Sequence, residues 1–170
     1  MSIDIRKVLI REAREYAVLH IKCWQDAYKG IISDNYLDNM TMELEQRVER
    51  CRQVLNDPGD CLYFYAECDG DMIGRLAFGI CRDDDKINAG EVYAIYLLEA
   101  FWNNSYGKQM MDFAVEKLKR AGYREVIVWV LEDNQRARRF YEKYGFVHDG
   151  CYKNIEIGEI LVETRYVLDL

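Results

Sequence analysis

The chain has 170 residues, of which 50% are hydrophobic, 31% are charged and 13% are aromatic, and its formal net charge is -7. This composition excludes a disordered chain, and no apolar run approaches the ~20 residues that span a bilayer. The acidic balance disfavours nucleic acid and anionic membranes as partners. The charged N-terminus shows no secretory segment, so we expect a cytoplasmic protein with one domain, residues 1–170.

The cysteines and histidines give little support for a metal site. The chain has six cysteines but no Cys-x-x-Cys pair, and its two histidines are His20 and His148. Because the N-terminus carries no secretory signal, disulfides are disfavoured. We therefore expect reduced, structural thiols and no metal, with His20 as a hydrogen-bonded helix histidine.

Apolar spacing in the first hundred residues predicts helices and then an antiparallel meander. Tyr16, Ala17 and Trp24 recur at helical spacing. The dipeptide Asp69-Gly70 is a strong signal for a two-residue hairpin. The predicted elements are, in order, a short strand around residues 3–5, helices at 12–28, 34–40 and 42–55, and strands at 62–68, 72–80 and 91–98.

The second half of the chain alternates helices with strands. The predicted elements are a helix at 107–121, a buried strand at 126–131, a helix from 134 to about 144, and a hairpin of strands at 152–157 and 159–168. Together with the meander, this order predicts an α/β fold with a mixed central sheet and helices on both faces.

The loop Trp102-Asn103-Asn104-Ser105-Tyr106-Gly107 follows a strand and opens a helix. The free backbone N–H groups of a helix N-terminus, aided by the helix dipole, can bind a phosphate. Many loops of this kind bind nothing, so the loop alone leaves both interpretations open.

The helix after the buried strand carries the pattern N-x-x-A-x-x-F-Y-x-x-x-G-F, from Asn134 to Phe146. Asn134, Ala137 and Tyr141 recur on one face of this helix. One interpretation is an amphipathic helix that packs Phe140 and its aromatic neighbours into the core. The other is a ligand-binding helix, because the pattern follows the phosphate-type loop by one buried strand.

With these two segments, the chain resembles the GNAT-type N-acetyltransferases. Residues 24–31 with Tyr36-Leu37 resemble the first helix pair of one branch of the family, and residues 163–166 resemble its last strand, so the resemblance covers essentially the whole chain. The family pattern V-x-P-x-x-R/Q-x-x-G-x-G/A corresponds to residues 97–107, and the second pattern matches at every motif position. Three residues depart from the first pattern: Glu99 replaces Pro, Trp102 replaces Arg or Gln, and Ser105 replaces Gly. We expect Trp102 to remove a polar capping side chain and Ser105 to restrict the loop backbone.

The resemblance implies acetyl-CoA as the cofactor, bound where the fourth and fifth strands splay apart. Backbone N–H groups of the fourth strand would hold the pantetheine and the acetyl oxygen, and those of the loop would hold the pyrophosphate. The implied cofactor-binding residues are Leu97, Leu98, Asn103, Asn104, Ser105, Tyr106, Gly107, Asn134, Ala137 and Phe140. Tyr141 is implied as the general acid that protonates the CoA thiolate.

Three arginines, Arg136, Arg138 and Arg139, lie close together on the same predicted helix. We expect them to form a solvated helix face. The alternative is contact with the 3′-phosphate of CoA.

Glu91, at the start of the predicted fourth strand, is the candidate general base, because some family members carry a catalytic glutamate there. Period-2 alternation places it on one face with Tyr93, Ile95 and Leu97. A glutamate beside aromatic rings at the head of a cleft can have a raised pKa and accept a proton from an ammonium group. The alternative is a solvated carboxylate at the end of a strand.

The acceptor is expected to be a primary amine of a small cationic molecule or a peptide. The family builds its acceptor wall from the first two helices, which implies Trp24, Tyr28 and Tyr36, with Tyr93 beside them; core packing is the alternative for Trp24. The alternative functions are a protein N-terminal or lysine acetyltransferase and a non-catalytic acyl-CoA-binding module. A homodimer is expected through the strand 159–168, taken as an exposed edge.

Overall fold

One mixed sheet of seven strands runs through residues 3–170, the part of the chain that the computed structural model describes. The strands are β1 (Asp4–Lys7), β2 (Cys61–Cys68), β3 (Asp71–Ile80), β4 (Ala89–Leu97), β5 (Glu125–Leu131), β6 (Val147–Ile157) and β7 (Glu159–Asp169). Their order across the sheet is β1-β2-β3-β4-β5-β7-β6. Neighbouring strands are antiparallel except β4 and β5, which are parallel.

The helices cover both faces of this sheet, as predicted. They are α1 (Ala13–Tyr28), α2 (Asp34–Met42), α3 (Leu44–Asn56), α4 (Tyr106–Arg120) and α5 (Gln135–Tyr144). On one face, Tyr16 and Leu19 of α1 pack with Tyr65 of β2. On the other face, Met110 of α4 packs with Val128 of β5. Two apolar cores therefore sandwich the sheet and hold its strands in register.

The meander contains the predicted hairpin. Asp69 and Gly70 join β2 to β3 and both have positive φ, 52° and 90°. A two-residue turn with two left-handed residues has the twist that an antiparallel pair requires.

The parallel pair β4–β5 is short, which opens the sheet at its centre. The two strands pair only where residues 89–91 meet residues 125–127. Beyond that point β5 remains fully paired with β7, as far as Leu131 opposite Glu163. The β4 backbone from Val92 onward therefore loses its neighbour on one side, which confirms the predicted splaying of the fourth and fifth strands.

A β-bulge at Tyr93 changes which side chains of β4 share a face. Ala77 pairs with Ala94, but the next β3 residue, Phe78, pairs with Val92, so Tyr93 is the extra residue. A bulge inserts one residue and reverses the alternation beyond it. The predicted grouping of Glu91 with Ile95 and Leu97 is therefore wrong, because these two apolar residues pack in the core on the α4 side.

The C-terminal hairpin differs from expectation in two ways. Strand β6 begins at Val147 rather than at residue 152, and its pairing is irregular between His148 and Tyr152. Strand β7 lies between β5 and β6, so it is not an edge strand. The argument for a dimer paired through residues 159–168 is therefore wrong, since β6 pairs with one side of β7 and β5 pairs with the other side from Glu163 onward.

None of the helices in the described range is long and apolar enough to cross a membrane. All six cysteines, which lie within that range, are free thiols.

Candidate active site

A cleft of about 110 Å³ opens where β4 and β5 separate. Its walls are residues 92–97 of β4, Trp129 and Val130 of β5, the start of α4 and one face of α5. The predicted site residues that line it are Tyr28, Tyr93, Leu97, Gly107, Asn134, Ala137, Phe140 and Tyr141. The fold thus brings the two sequence motifs to opposite sides of one gap in the sheet.

The backbone of β4 supplies N–H groups to this cleft. The Leu98 N–H donates to the Ile73 carbonyl of β3 at 3.0 Å. Because successive residues of a strand direct their amides to opposite sides, the N–H groups of Leu97 and Ile95 point away from β3, toward the gap. The prediction for Leu98 is therefore corrected: its amide belongs to the sheet, and Ile95 provides the second free amide.

The loop before α4 holds its backbone amides in one concavity. Asn103 and Ser105 have positive φ, 63° and 61°. Helix α4 begins without a side-chain cap, and its first bond runs from Gln109 N–H to the Ser105 carbonyl at 3.1 Å. The earlier N–H groups, from Tyr106 onward, have no intrahelical acceptor. This concave set of free amides at a helix N-terminus fits a phosphate group.

Asn104 and Gly107 shape this loop in different ways. The Asn104 side-chain amide donates to the Trp102 carbonyl at 3.2 Å, which braces the turn. A Cβ added at Gly107 would lie 3.4 Å from the Phe140 ring of α5, at the short end of ordinary van der Waals contact. Gly107 therefore lies where α4 and α5 come close together beside the cleft.

Trp102 replaces the family's Arg or Gln but does not remove the polar cap. Its indole N–H donates to the Leu97 carbonyl at 2.8 Å, on the open side of β4. The guanidinium of Arg136 stacks on its ring, 3.5 Å from the centroid. Burial lowers the pKa of Arg136, although the group stays charged at neutral pH. The expected loss of a cap is therefore wrong: Trp102 closes the end of β4 and supports a cation.

The expectation of a solvated arginine face holds for Arg136 and Arg139, which are exposed, but not for Arg138. Arg136 lines the cleft. Arg138 donates to the Tyr166 hydroxyl and to the Glu132 carbonyl, both at 3.0 Å. Arg139 is exposed. Of the three arginines, only Arg136 is therefore placed to contact a ligand in the cleft.

The two polar atoms of the Asn134 side chain have different roles. Its side-chain oxygen accepts the Ala137 N–H at 3.1 Å and caps α5. The residue is buried, with 4% of its surface exposed, and lines the cleft. Because the cap uses the oxygen, the side-chain amide remains available as a donor to a ligand.

Three phenols meet at the inner end of the cleft. The Tyr28 and Tyr96 hydroxyls are hydrogen-bonded at 2.7 Å, and burial raises the pKa of each. The predicted acid, Tyr141, is 7% exposed, and burial also raises its pKa. Its hydroxyl forms no hydrogen bond with any other residue between 3 and 170. Tyr141 is thus a protonated donor that faces the cleft without a partner.

Glu91 lies deep in the fold, and its carboxylate is occupied by Arg82. It is 2% exposed, so the interpretation as a solvated strand-end carboxylate is wrong. One oxygen accepts the Arg82 N–H and Nε–H, each at 3.1 Å, and the other accepts Nη2–H at 2.6 Å. The residue lines a second cavity, of about 460 Å³, which we call the acceptor cavity. Trp24, Tyr28 and Tyr96 also line it.

A second carboxylate, Glu163 of β7, lines the acceptor cavity and was not predicted from the sequence. Burial raises its pKa, and the Lys153 ammonium, 3.5 Å away, opposes that rise. The signal available in the sequence was an acidic residue that follows the apolar run Ile160–Val162 in the terminal strand. Its neighbours in space come from three separate strands, which spacing along the chain does not show.

Comparison with known proteins decides the family. A model of the Acetyltransferase (GNAT) family matches residues 10–146 of this chain. The chain belongs to this family. The protein is therefore an acetyl-CoA-dependent acetyltransferase.

Relatives of this GNAT enzyme match it over most of their length. The spermidine N(1)-acetyltransferase of Thermoplasma acidophilum is 26% identical over 168 residues, 98% of this chain and 99% of the relative. The uncharacterised N-acetyltransferase YuaI of Bacillus subtilis is 25% identical over 142 residues, 84% of this chain and 79% of the relative. The crystal structure of the PaiA N-acetyltransferase of Thermoplasma acidophilum, in complex with coenzyme A, has a TM-score of 0.75 at 22% identity and covers 100% of both chains.

The residues of this GNAT cleft fit an acyl-CoA. The loop amides at the start of α4 suit a pyrophosphate, and the Ile95 and Leu97 amides suit an extended amide-containing arm. Ala137 and Phe140 provide an apolar wall between them. These protein groups therefore follow one another along the cleft in the same order as the pyrophosphate and the amide-containing arm of an acyl-CoA.

The predicted acceptor-wall residues divide into two groups. Trp24, Tyr28 and Tyr93 line the acceptor cavity. Tyr36 does not; its ring packs on the β6–β7 turn, where a Cβ added at Gly158 would lie 3.0 Å from it. Tyr36 therefore supports the hairpin that carries Glu163.

Proposed function

We propose that this enzyme transfers the acetyl group of acetyl-CoA directly to a primary amine of a small cationic molecule or peptide. One observation carries the proposal: the cleft between β4 and β5 connects a donor side to an acceptor side. The free amides of the α4 loop lie on the donor side, and Tyr28, Tyr93 and Tyr96 line both the cleft and the acceptor cavity. A thioester at the gap would meet an amine from the opposite side.

The chain's own residues supply polarisation and a proton. Acetyl-CoA contributes a thioester whose carbonyl carbon the amine attacks. The Ile95 and Leu97 amides donate to the developing oxyanion. A C–N bond forms and a C–S bond breaks, and Tyr141 gives its hydroxyl proton to the departing sulfur. Its raised pKa keeps that proton in place at neutral pH.

The amine must lose a proton, and two of the carboxylates that line the acceptor cavity are candidates for this role. Glu91 remains the predicted base, but Arg82 holds both of its oxygens, so a new proton would displace a strong hydrogen bond. Glu163 is the alternative, favoured by its burial, because burial raises the pKa of its carboxyl and makes it a better proton acceptor.

Two observations support a cationic acceptor: the charges that line the acceptor cavity and the activity of a relative. Three carboxylates, Asp83, Glu91 and Glu163, line the acceptor cavity against two cations, Arg82 and Lys153, and the relative from Thermoplasma acidophilum is a spermidine acetyltransferase. A peptide amine, a protein N-terminus or a lysine side chain would need an open groove instead. The unpartnered hydroxyl of Tyr141 argues against a non-catalytic acyl-CoA-binding module, which has no use for a proton donor.

An amine library tests the proposal. Purified enzyme is incubated with acetyl-CoA and single amines, and thiol release is compared with release in the absence of amine. We expect amine-dependent release with one or more small cationic amines. Release that no amine accelerates would contradict acetyl transfer and favour the binding module; release with peptides alone would favour the protein-modifying alternative.

We also propose a homodimer, through a different strand from the one expected. Strand β6 is an outer strand, and its Val147 and Tyr152 are 68% and 55% exposed. Unpaired edges with apolar side chains favour pairing with a second copy. A monomer mass in light scattering at high protein concentration would contradict this.

A further inference from the structure

A half-buried cation without a counter-ion lies on the α1 side of the sheet. Arg75 projects from β3, and its guanidinium lies 5.2 Å from the centre of the Tyr16 ring. Its Nε atom is fully buried and has no hydrogen-bond partner. Arg75 forms no salt bridge with any residue in the described range. Withdrawing part of an unpaired guanidinium from water is costly, so an acceptor for its buried Nε–H is expected.

The groups that surround Arg75 do not include a buried carboxylate. It faces the phenols of Tyr16 and Tyr96 and the thiol of Cys51. His20 also lies beside it, and burial, Arg75 and Arg47 together hold the pKa of His20 well below its usual value. The imidazole is therefore neutral and cannot act as a second cation at pH 7.

Two further polar atoms around this cation lack partners. His20 Nε2 and Arg47 Nε are both buried without a hydrogen bond. The expectation that His20 is a hydrogen-bonded helix histidine is therefore wrong. Buried polar atoms are rarely left unpaired in native proteins, and these come from two different helices. Such a cluster indicates a ligand that supplies acceptors.

Open space adjoins all three side chains. Two cavities, of about 430 Å³ and 220 Å³, share His20, Tyr63 and Arg75 in their walls. We call this space the Arg75 cavity. Its other charged wall residues are Arg47, Arg50 and Arg82, with the exposed Asp60 at the wider part. Arg47 and Arg82 are each paired with a carboxylate, Glu43 at 3.1 Å and Glu91 at 2.6 Å, so Arg75 and Arg50 are the wall cations without a salt bridge in the described range.

We infer that Arg75 anchors a site for the carboxylate of a small organic ligand in the Arg75 cavity. A guanidinium presents a planar fork that matches a carboxylate with two parallel hydrogen bonds. His20 and Arg47 supply additional donors at the same place. No residue of the proposed acetyl-transfer machinery explains this arrangement.

Two kinds of ligand can bring a carboxylate to the Arg75 cavity. The Arg75 cavity shares Trp24, Tyr93 and Tyr96 with the acceptor cavity. An acceptor that carries an amine and a carboxylate would reach from one to the other, and a separate organic acid would fill the Arg75 cavity alone. The site itself rests on the cavity and its unpaired cation; only the first source rests on the proposed function.

Thermal unfolding without CoA tests the site, with sodium succinate as the probe and sodium chloride at equal ionic strength as the reference. At a succinate concentration 100-fold above its dissociation constant, we expect Tm to rise by about 5–10 °C beyond the chloride reference. The Arg75→Met variant should lose this rise, whereas Arg11→Gln, which removes an exposed arginine elsewhere, should retain it. Arg75→Lys and Arg47→Gln should weaken succinate binding, which keeps the test valid if Arg75→Met does not fold.

Two results would overturn the inference: stabilisation of the wild type no greater than that by chloride, or an equal shift in Arg75→Met. Acetylation kinetics distinguish the sources. Succinate inhibition that excess amine overcomes assigns the carboxylate to the acceptor, and binding without such competition assigns it to a separate ligand. If no amine is acetylated, the proposed function fails while the Arg75-dependent shift in Tm still reports the site.

Discussion

The guanidinium of Arg136 lies 3.5 Å above the centre of the Trp102 indole ring, at the entrance of the cleft. The family pattern places Arg or Gln at position 102, inside the phosphate-type loop. Here that position is aromatic, and the cation comes from α5, on the other side of the cleft. The indole also donates to the Leu97 carbonyl at 2.8 Å, which fixes the ring beneath the guanidinium. Arg136, held on the Trp102 ring, thus places a positive charge beside the loop amides, where the family pattern has its own Arg or Gln.

This arrangement predicts that Arg136→Gln and Trp102→Ala each weaken CoA binding. Loss of the cation placed beside the anionic ligand should raise the dissociation constant for CoA by about 2–5-fold, the equivalent of ~0.5–1 kcal/mol for an exposed ion pair. Calorimetry of CoA binding measures this, with Arg139→Gln as the control on the exposed face of α5. The double variant should cost less than the sum of the single ones, because either change breaks the same contact. Full additivity would contradict the pairing.

Ser105→Gly is expected to stabilise the enzyme. Ser105 has φ 61°, a left-handed conformation that costs a non-glycine residue about 1–2 kcal/mol. Glycine removes that cost but loses more backbone entropy on folding, about 0.5–1 kcal/mol. The net gain should raise Tm by about 1–4 °C, as measured by thermal unfolding. Ser105→Ala serves as the control, since it keeps the strained φ, and an equal gain in that variant would show that strain is not the cause.

Local patterns predicted much of this fold. Helical spacing placed α1 and α4, and the dipeptide Asp69-Gly70 placed the β2–β3 hairpin. The pattern from Asn134 to Phe146 placed α5 beside the cleft. Each of these features depends on residues within one turn or one strand, so the information lies close together in the sequence.

The remaining features depend on contacts between distant segments. The bulge at Tyr93 appears only when β4 is aligned against β3, and it moved Glu91 to the face opposite Ile95. The position of β7 between β5 and β6 likewise follows from the pairing of the whole sheet. Arg75 and His20 lie 55 residues apart in the chain, so their shared cavity had no local signal.

Substitution of Glu163 should separate its role in stability from its role in proton transfer. Burial raises its folded pKa above the unfolded value of about 4.3, so the protonated form is favoured by folding. Its contribution to stability is present below the unfolded pKa and is lost as pH rises through the folded pKa. The free energy of unfolding of Glu163→Gln should therefore exceed that of the wild type at neutral pH, and the difference should be smaller at pH ~4. Denaturant unfolding at both pH values measures this difference.

The same variant tests the base. If Glu163 accepts the amine proton, Glu163→Gln should lower kcat at neutral pH and recover partly at high pH, where the amine is already neutral. Glu91→Gln is the matched comparison, and the base is the residue whose loss removes the acidic limb of the pH–rate profile. Unchanged profiles in both variants would show that solvent accepts the proton.

Tyr141→Phe should lower turnover while it leaves CoA affinity nearly unchanged. The phenyl ring keeps its contacts with Phe140, Phe146 and Tyr166, so α5 and the cleft wall are preserved. Only the hydroxyl is removed, and this hydroxyl forms no hydrogen bond that the fold needs. The departing sulfur then takes its proton from water, and loss of general acid catalysis should reduce kcat by about 10²–10⁴-fold with little change in KM. Because burial raises the pKa of Tyr141, the wild type should keep this acid well above neutral pH.

The matched control for Tyr141→Phe is Tyr144→Phe on the same helix. The Tyr144 hydroxyl donates to Asp112 at 2.8 Å, away from the cleft, so its removal should cost some stability and leave kcat unchanged. Steady-state kinetics of both variants, with CoA binding measured by calorimetry, distinguish the two roles. If Tyr141→Phe retains full turnover while the chemical step limits the rate, Tyr141 is a packing residue and the sulfur is protonated by another group.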